Sequence, residues 1–156
     1  MNKYCDIFLP DQIKGALLLL SMSPDIKKLR INKDAEYSGF LGLRLPRLQG
    51  VALVVELRRS GVSSFNVPVE YRDGKLLTEE EILKKAQSYI SQESSIWVLE
   101  RAKATFHPMV IDLMTDDEKY HLGGEGGGVL VIDRLNGHAW TENEMVNYLY
   151  GYNNIL

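Results

Sequence analysis

The sequence predicts an α+β fold, and three observations carry that expectation. Val51–Arg58, Phe65–Arg72 and Val129–Asp133 are short apolar or alternating segments that read as strands. Thr78–Ile90 and the segment after Thr141 each carry a helix N-cap with an apolar stripe behind it. Turn signals at Ser60-Gly61 and Asn136-Gly137 lie between strand-like segments and favour antiparallel pairing, and Asp73-Gly74 is a further turn signal after Phe65–Arg72. The expected architecture is a single domain, residues 1–156, with N-terminal helical turns and a largely antiparallel sheet of about five to six strands. Two longer helices pack on that sheet.

Composition supports one folded body. At 156 residues and 45% hydrophobic content the chain can bury a core, and 25% charged with 9% aromatic residues argues against whole-chain disorder. The apolar run Ala16–Leu20 is far below the roughly 20 residues that cross a bilayer. Met1–Pro10 lacks the basic flank, long apolar centre and cleavage site of a secretory leader, so no leader and no membrane association are expected. The single cysteine, Cys5, cannot form an internal disulfide, which fits a cytoplasmic setting and reads as a small buried hydrophobe. The net charge of -3 divides unevenly: residues 1–75 hold 12 Lys/Arg against 8 Asp/Glu, and residues 76–156 hold 6 against 13. An acidic C-terminal half disfavours nucleic acid as its partner and suits a basic protein surface.

In chain order, residues 1–31 read as a helical start. Pro10-Asp11 opens a helix through Ser21, with Ile13, Leu17 and Leu20 at helical spacing, and Ser23-Pro24-Asp25 opens a second short turn containing Ile26 and Leu29. Asn32–Gly42 is loop or irregular strand, because Gly39 and Gly42 interrupt any period. Val51–Arg58 is nearly continuous and rich in β-branched residues, as in a strand buried on both faces. Ser60-Gly61 joins it in a hairpin to Phe65–Arg72, where Pro68 assigns an edge. Thr78 and Glu81 form a capping box for a helix whose Ile82, Leu83, Ala86, Tyr89 and Ile90 face a core. Ile96–Thr105 and Pro108–Met114 are strand-like, and Thr115 precedes an acidic turn. Gly123–Trp140 then runs from a flexible glycine loop, residues 123–128, through the strand Val129–Asp133 and an Asn-Gly turn into His138-Ala139-Trp140. Thr141, with Glu144 at the capping-box position, opens the last helix. Its apolar side carries Met145, Tyr148, Leu149, Tyr152 and Leu156, and Val146 and Tyr150 fall off that side.

No stretch matches a high-specificity catalytic or metal signature. GGEGGG lacks the Lys-Ser/Thr pair of a phosphate loop and feeds a strand, so close approach or loop freedom explains it better than a cofactor, and no cofactor is expected. His107, His121 and His138 have no metal-ligand spacing, and no metal is expected. An enzyme would have to gather His107, Asp112, Asp133 and His138 in one pocket, with the two carboxylates on neighbouring strands for acid–base work. A nucleic-acid reader would have to use the arginines between Arg44 and Arg72, among them Arg47, Arg58 and Arg59. No catalytic residue is assigned.

The run VIDRLNGHAW followed by an acidic and aromatic helix ending YLYGYNN resembles the C-terminal half of small immunity proteins of bacterial polymorphic-toxin and contact-dependent inhibition systems. The matching residues are Val131, Ile132, Asp133, Gly137, Tyr148, Leu149 and Tyr152. The likeness spans roughly Thr78 to Tyr152, leaves residues 1–77 unmatched, and the glycine insertion departs from the pattern. The resemblance implies a non-enzymatic stoichiometric inhibitor that occludes a cognate toxin domain, for instance a nuclease with a basic surface. On that reading Asp116, Asp117, Glu118 and Glu125 supply charge, and Tyr120, Trp140 and Tyr150 serve as apolar anchors.

Overall fold

The computed structural model describes residues 3–21, 31–89, 96–98, 107–115 and 129–155. They form an α+β structure with antiparallel strand pairing throughout. The strands divide between a four-stranded and a three-stranded sheet, in two compact units: residues 1–72 with 146–156, and residues 73–145.

The first unit is built on β1 (Tyr4–Lys14), which pairs with β2 (Glu36–Phe40), β3 (Leu45–Pro46) and β4 (Phe65–Pro68). Pro10-Asp11 does not open a helix. Buried Cys5, Ile7 and Leu9 alternate along a strand that continues to Lys14, and the register against β2 shifts between Leu9 and Ile13, around Pro10. A proline is tolerated where a ladder is already irregular. Helix α1 (Gly15–Ser21) starts only at Gly15, where a Cβ would lie 1.9 Å from the Asn32 carbonyl oxygen. Its buried apolar side chain is Leu18; Leu17 and Leu20, expected to face inward, are exposed. The second helical turn, at Ile26 and Leu29, falls outside the described residues.

The largest departure is Val51–Arg58, which is not a strand. It lies within α2 (Arg47–Arg59), whose buried positions Gly50, Leu53, Val54 and Leu57 follow the i, i+3, i+4, i+7 spacing of a helical stripe. Ser60-Gly61 is accordingly not a hairpin turn but the helix stop. Gly61, at φ +83°, donates to Arg58 O and Val62 donates to Leu57 O, the paired bonds of a left-handed glycine cap. Leu53, Val54, Leu57 and Val62 then join Ile7, Leu9, Leu18 and Leu43 in one core. Strand β4 pairs with β1 alone, so Pro68 does lie on an edge. Beyond it the expected strand gives way to the short helix α3 (Glu70–Asp73).

At the centre of this unit Asp6 is fully buried. Its Oδ1 accepts from the amides of Ile7 (2.7 Å) and Leu43 (2.8 Å), and its Oδ2 accepts from Gly42 N and from Arg72 Nη1, both at 2.9 Å. Arg72 also donates to Leu43 O at 2.6 Å.

In the second unit, α4 (Glu79–Gln87) has the expected Thr78/Glu81 capping box. Ile82 and Ala86 pack on Leu113 and Ile132, with Ile111, Leu130 and Ala139 around them. Strands β5 (Ile96–Val98), β6 (Val110–Thr115) and β7 (Val129–Asp133) form the three-stranded sheet in that order. Helix α5 (Glu142–Asn153) follows the Thr141 cap, and its residues from Val146 on belong to the first unit.

Replacing Asp6 by Asn leaves Arg72 without its counter-ion and places a donor among donors. It is expected to destabilise the fold by about 3 kcal/mol, the low end for a broken buried pair because Arg72 is partly exposed. Urea unfolding checks this: the midpoint should fall with the slope unchanged.

Candidate functional site

The C-terminal helix is the best-defined surface that the sequence nominated. Glu144 N donates to Thr141 Oγ1 at 3.2 Å, and Thr141 N donates back to Glu144 Oε1 at 3.3 Å, which completes the predicted capping box. One side of the helix is held down. Tyr148 is buried and its hydroxyl donates to Asn66 O at 2.8 Å; Asn153 is fully buried and accepts from Asn66 N at 2.7 Å. Burial pushes the Tyr148 hydroxyl far above the ordinary tyrosine range, so it stays a donor. The helix ends on Asn154 at φ +53°, and Arg47 and Arg58 of α2 donate to the carbonyls of Gly151 and Asn153. On the opposite side Val146 and Tyr150, one turn apart, are 53% and 57% exposed. Asn147 and Asn154 flank them in the open. Tyr150 thus stands where the sequence places it, as an exposed aromatic on a fixed helix.

Trp140 has a different role from a free anchor. Its Nε1 donates to Asp133 Oδ2 at 2.9 Å, and Asp133 Oδ1 accepts from Leu135 N at 2.8 Å. Asn136 Oδ1 accepts from His138 N at 2.8 Å, and Gly137, at φ +74°, donates to Asp133 O. The chain therefore reverses at Asn136-Gly137 as expected, but not as a two-residue hairpin turn: Asn136 does not take a positive φ, and two side chains that mimic turn backbone close a longer loop. The return segment makes a single bridge, Ala139 to Ile132, rather than a full strand. Asp116, Asp117, Glu118, Tyr120 and Glu125 lie outside the described residues, as do the glycine loop and His121.

The four residues that an enzyme would use are placed unevenly. The β6–β7 register sets Asp112 opposite Val131 and Asp133 opposite Val110, so both carboxylates share one sheet face, diagonal neighbours. Asp133, buried, is committed to the turn and to Trp140. Desolvation raises the carboxyl of half-buried Asp112 above its ordinary value. His107 is buried, and its Nδ1 accepts from Met109 N at 3.2 Å. Burial, reinforced by the Arg134 charge, lowers its pKa to about 4, so at neutral pH it is an uncharged acceptor. His138 is exposed and its Nε2 lies 2.9 Å from Glu144 Oε2; the hydrogen bond to His138 holds the Glu144 carboxyl below its ordinary range. Among the described residues no group of three or more His, Cys, Asp or Glu is arranged to hold a metal ion.

The arginines between Arg44 and Arg72 are largely engaged within their own unit. Arg44 stacks over the Tyr4 ring at 4.5 Å, Arg47 lies 5.6 Å from the Tyr152 ring centroid, and Arg72 pairs with Asp6. With Arg47 and Arg58 also closing the C-terminus of α5, they do not stand out as a phosphate-facing row. Cys5 is fully buried, and desolvation pushes its thiol up to about 11, the inert state expected of a small core residue. Sequence reasoning missed Asn66 and Asn153 as a pair. The only available signal was two asparagines in otherwise apolar segments, and nothing in sequence links positions 87 residues apart.

No family model, curated protein or solved structure matches the chain.

The low pKa of His107 has a pH consequence. The unfolded chain takes up its proton near pH 6.5 and the folded chain only near pH 4, so the contribution to stability is complete above pH 6.5 and is lost as pH falls toward 4. His107→Asn, which can keep an acceptor for Met109 N but does not titrate, is expected to remove up to about 3 kcal/mol of that slope. The difference between the two stability curves over pH 4–6.5, measured by chemical denaturation, reads it directly.

Proposed function

We propose that the protein is a stoichiometric binder of another protein, an immunity protein that neutralises a cognate bacterial toxin domain. The observation that carries this reading is the exposed Val146–Tyr150 face on a helix whose other side is anchored by Tyr148 and Asn153. Exposed tyrosine flanked by asparagine supplies large contact area with adaptable hydrogen bonds at low entropic cost, the composition of a recognition surface. The likeness of VIDRLNGHAW and YLYGYNN to immunity proteins names the class of partner.

Charge supports the same reading. Residues 1–72 with 146–156 hold 11 Lys/Arg against 7 Asp/Glu, and residues 73–145 hold 7 against 14, so the second unit carries -7. Such a charge would speed association with a basic, nuclease-like surface, with Asp116, Asp117, Glu118 and Glu125 contributing charge and Tyr120 and Trp140 contributing aromatic contact. On this proposal the protein acts in the cytoplasm without a cofactor or a catalytic residue of its own.

The test is co-expression with a toxin domain encoded immediately upstream, followed by affinity measurement on the purified pair. Growth rescue and a one-to-one complex are expected, and Tyr150→Ala should weaken binding by about 30-fold while leaving the unfolding midpoint within error. Reversing the charges of Asp116, Asp117 and Glu118 should slow association and flatten its salt dependence. Absence of rescue and of a complex sinks the toxin assignment; a complex indifferent to Tyr150→Ala moves the interface off α5.

A further inference from the structure

The free edge of β4 is closed in a particular way. In antiparallel pairing with β1, alternate residues turn their backbone groups toward the partner and away from it. Val69 N points to β1, donating to Tyr4 O, while the backbone groups of Asn66 turn to the opposite side, where they meet α5. Pro68 shares that outward parity and has no N–H. Asn66 is therefore the one backbone donor that β4 directs outward.

Asn153 meets it as an opposing strand residue would. Its Oδ1 accepts from Asn66 N at 2.7 Å, and its Nδ2 donates to Asn66 O at 3.4 Å, a carboxamide in place of a peptide group. The Tyr148 hydroxyl takes the second lone pair of the same carbonyl at 2.8 Å, and Asn66 and Asn153 are both fully buried. We propose that Asn153 is a surrogate strand residue that closes the β4 edge against a second copy of this chain. Two β4 strands related by a two-fold axis through Asn66 are self-complementary: the N–H and C=O of one Asn66 face the C=O and N–H of the other. An uncovered edge of this kind is a template for strand pairing, and Pro68 alone, which removes one donor, leaves the Asn66 pair available.

The experiment compares wild type with Asn153→Ala and the milder Asn153→Ser by sedimentation over a wide concentration range, with amide exchange followed at Asn66. In wild type the Asn66 amide should exchange as slowly as those of β1. In either folded variant it should exchange at least about tenfold faster at low concentration, and the mass should rise from monomer toward dimer relative to wild type as concentration increases. A folded variant that matches the wild-type mass at every concentration overturns the proposal, as does rapid Asn66 exchange in wild type. Loss of folded signal in both variants also overturns it, since a guard can be removed without loss of the sheet it guards.

Discussion

The first unit depends on a carboxylate that has no access to water. A charge as buried as that of Asp6 costs several kcal/mol unless other groups replace its hydration. Here they do: three backbone amides and one guanidinium converge on two oxygens. Those four donors come from three different parts of the fold. Ile7 N is on the central strand, Gly42 N and Leu43 N fix the connection between β2 and β3, and Arg72 fixes the end of the chain that leaves β4. Gly42, at φ +83°, lets that connection bend so that two successive amides point at one carboxylate. Leu43 is delivered into the core by the same bend, so polar satisfaction and apolar burial are one geometric event.

That interaction explains why some of the fold could be read from sequence and some could not. Local chemistry was legible: the Thr78/Glu81 and Thr141/Glu144 boxes, the Asn136-Gly137 turn and the edge position of Pro68 rest on residues within a few positions of each other. The exposed Tyr150 was legible too, because helical periodicity alone sets it apart from Tyr148. Helix α2 was not. Val51, Val54 and Val55 raise strand propensity, and that local preference masks the Gly50, Leu53, Val54, Leu57 stripe, which becomes decisive only when a sheet is present to receive it. Gly50 shows why the sheet matters: a Cβ there would lie 2.0 Å from Asn66 Oδ1, so its absence lets α2 approach β4. The same ambiguity turned a helix stop at Ser60-Gly61 into an apparent hairpin.

The arginines illustrate a second limit. Seen as a list, Arg44, Arg47, Arg58, Arg59 and Arg72 look like a basic surface. In the fold, Arg47 and Arg58 supply positive charge where the α5 carbonyls run out of helical partners, and Arg72 neutralises Asp6. Charge counted along a chain cannot separate groups that face solvent from groups that complete backbone hydrogen bonding. The -7 of residues 73–145 is the sounder long-range quantity, since a sum over many side chains survives the engagement of a few.

Rigidity beneath the exposed helix face matters as much as the residues on it. A recognition surface loses affinity in proportion to the freedom that binding must remove, and that cost is smallest where the backbone is already fixed. Tyr148 and Asn153 make their bonds to one residue of β4, and Arg47 and Arg58 close the last carbonyls from α2. Val146 and Tyr150 sit two positions from Tyr148 on either side, so they inherit its fixed position without sharing its burial. The sequence YLYGYN thus does two things with one aromatic repeat. Tyr148 secures the helix, and Tyr150, turned about 200° further round at 100° per residue, is left for another molecule.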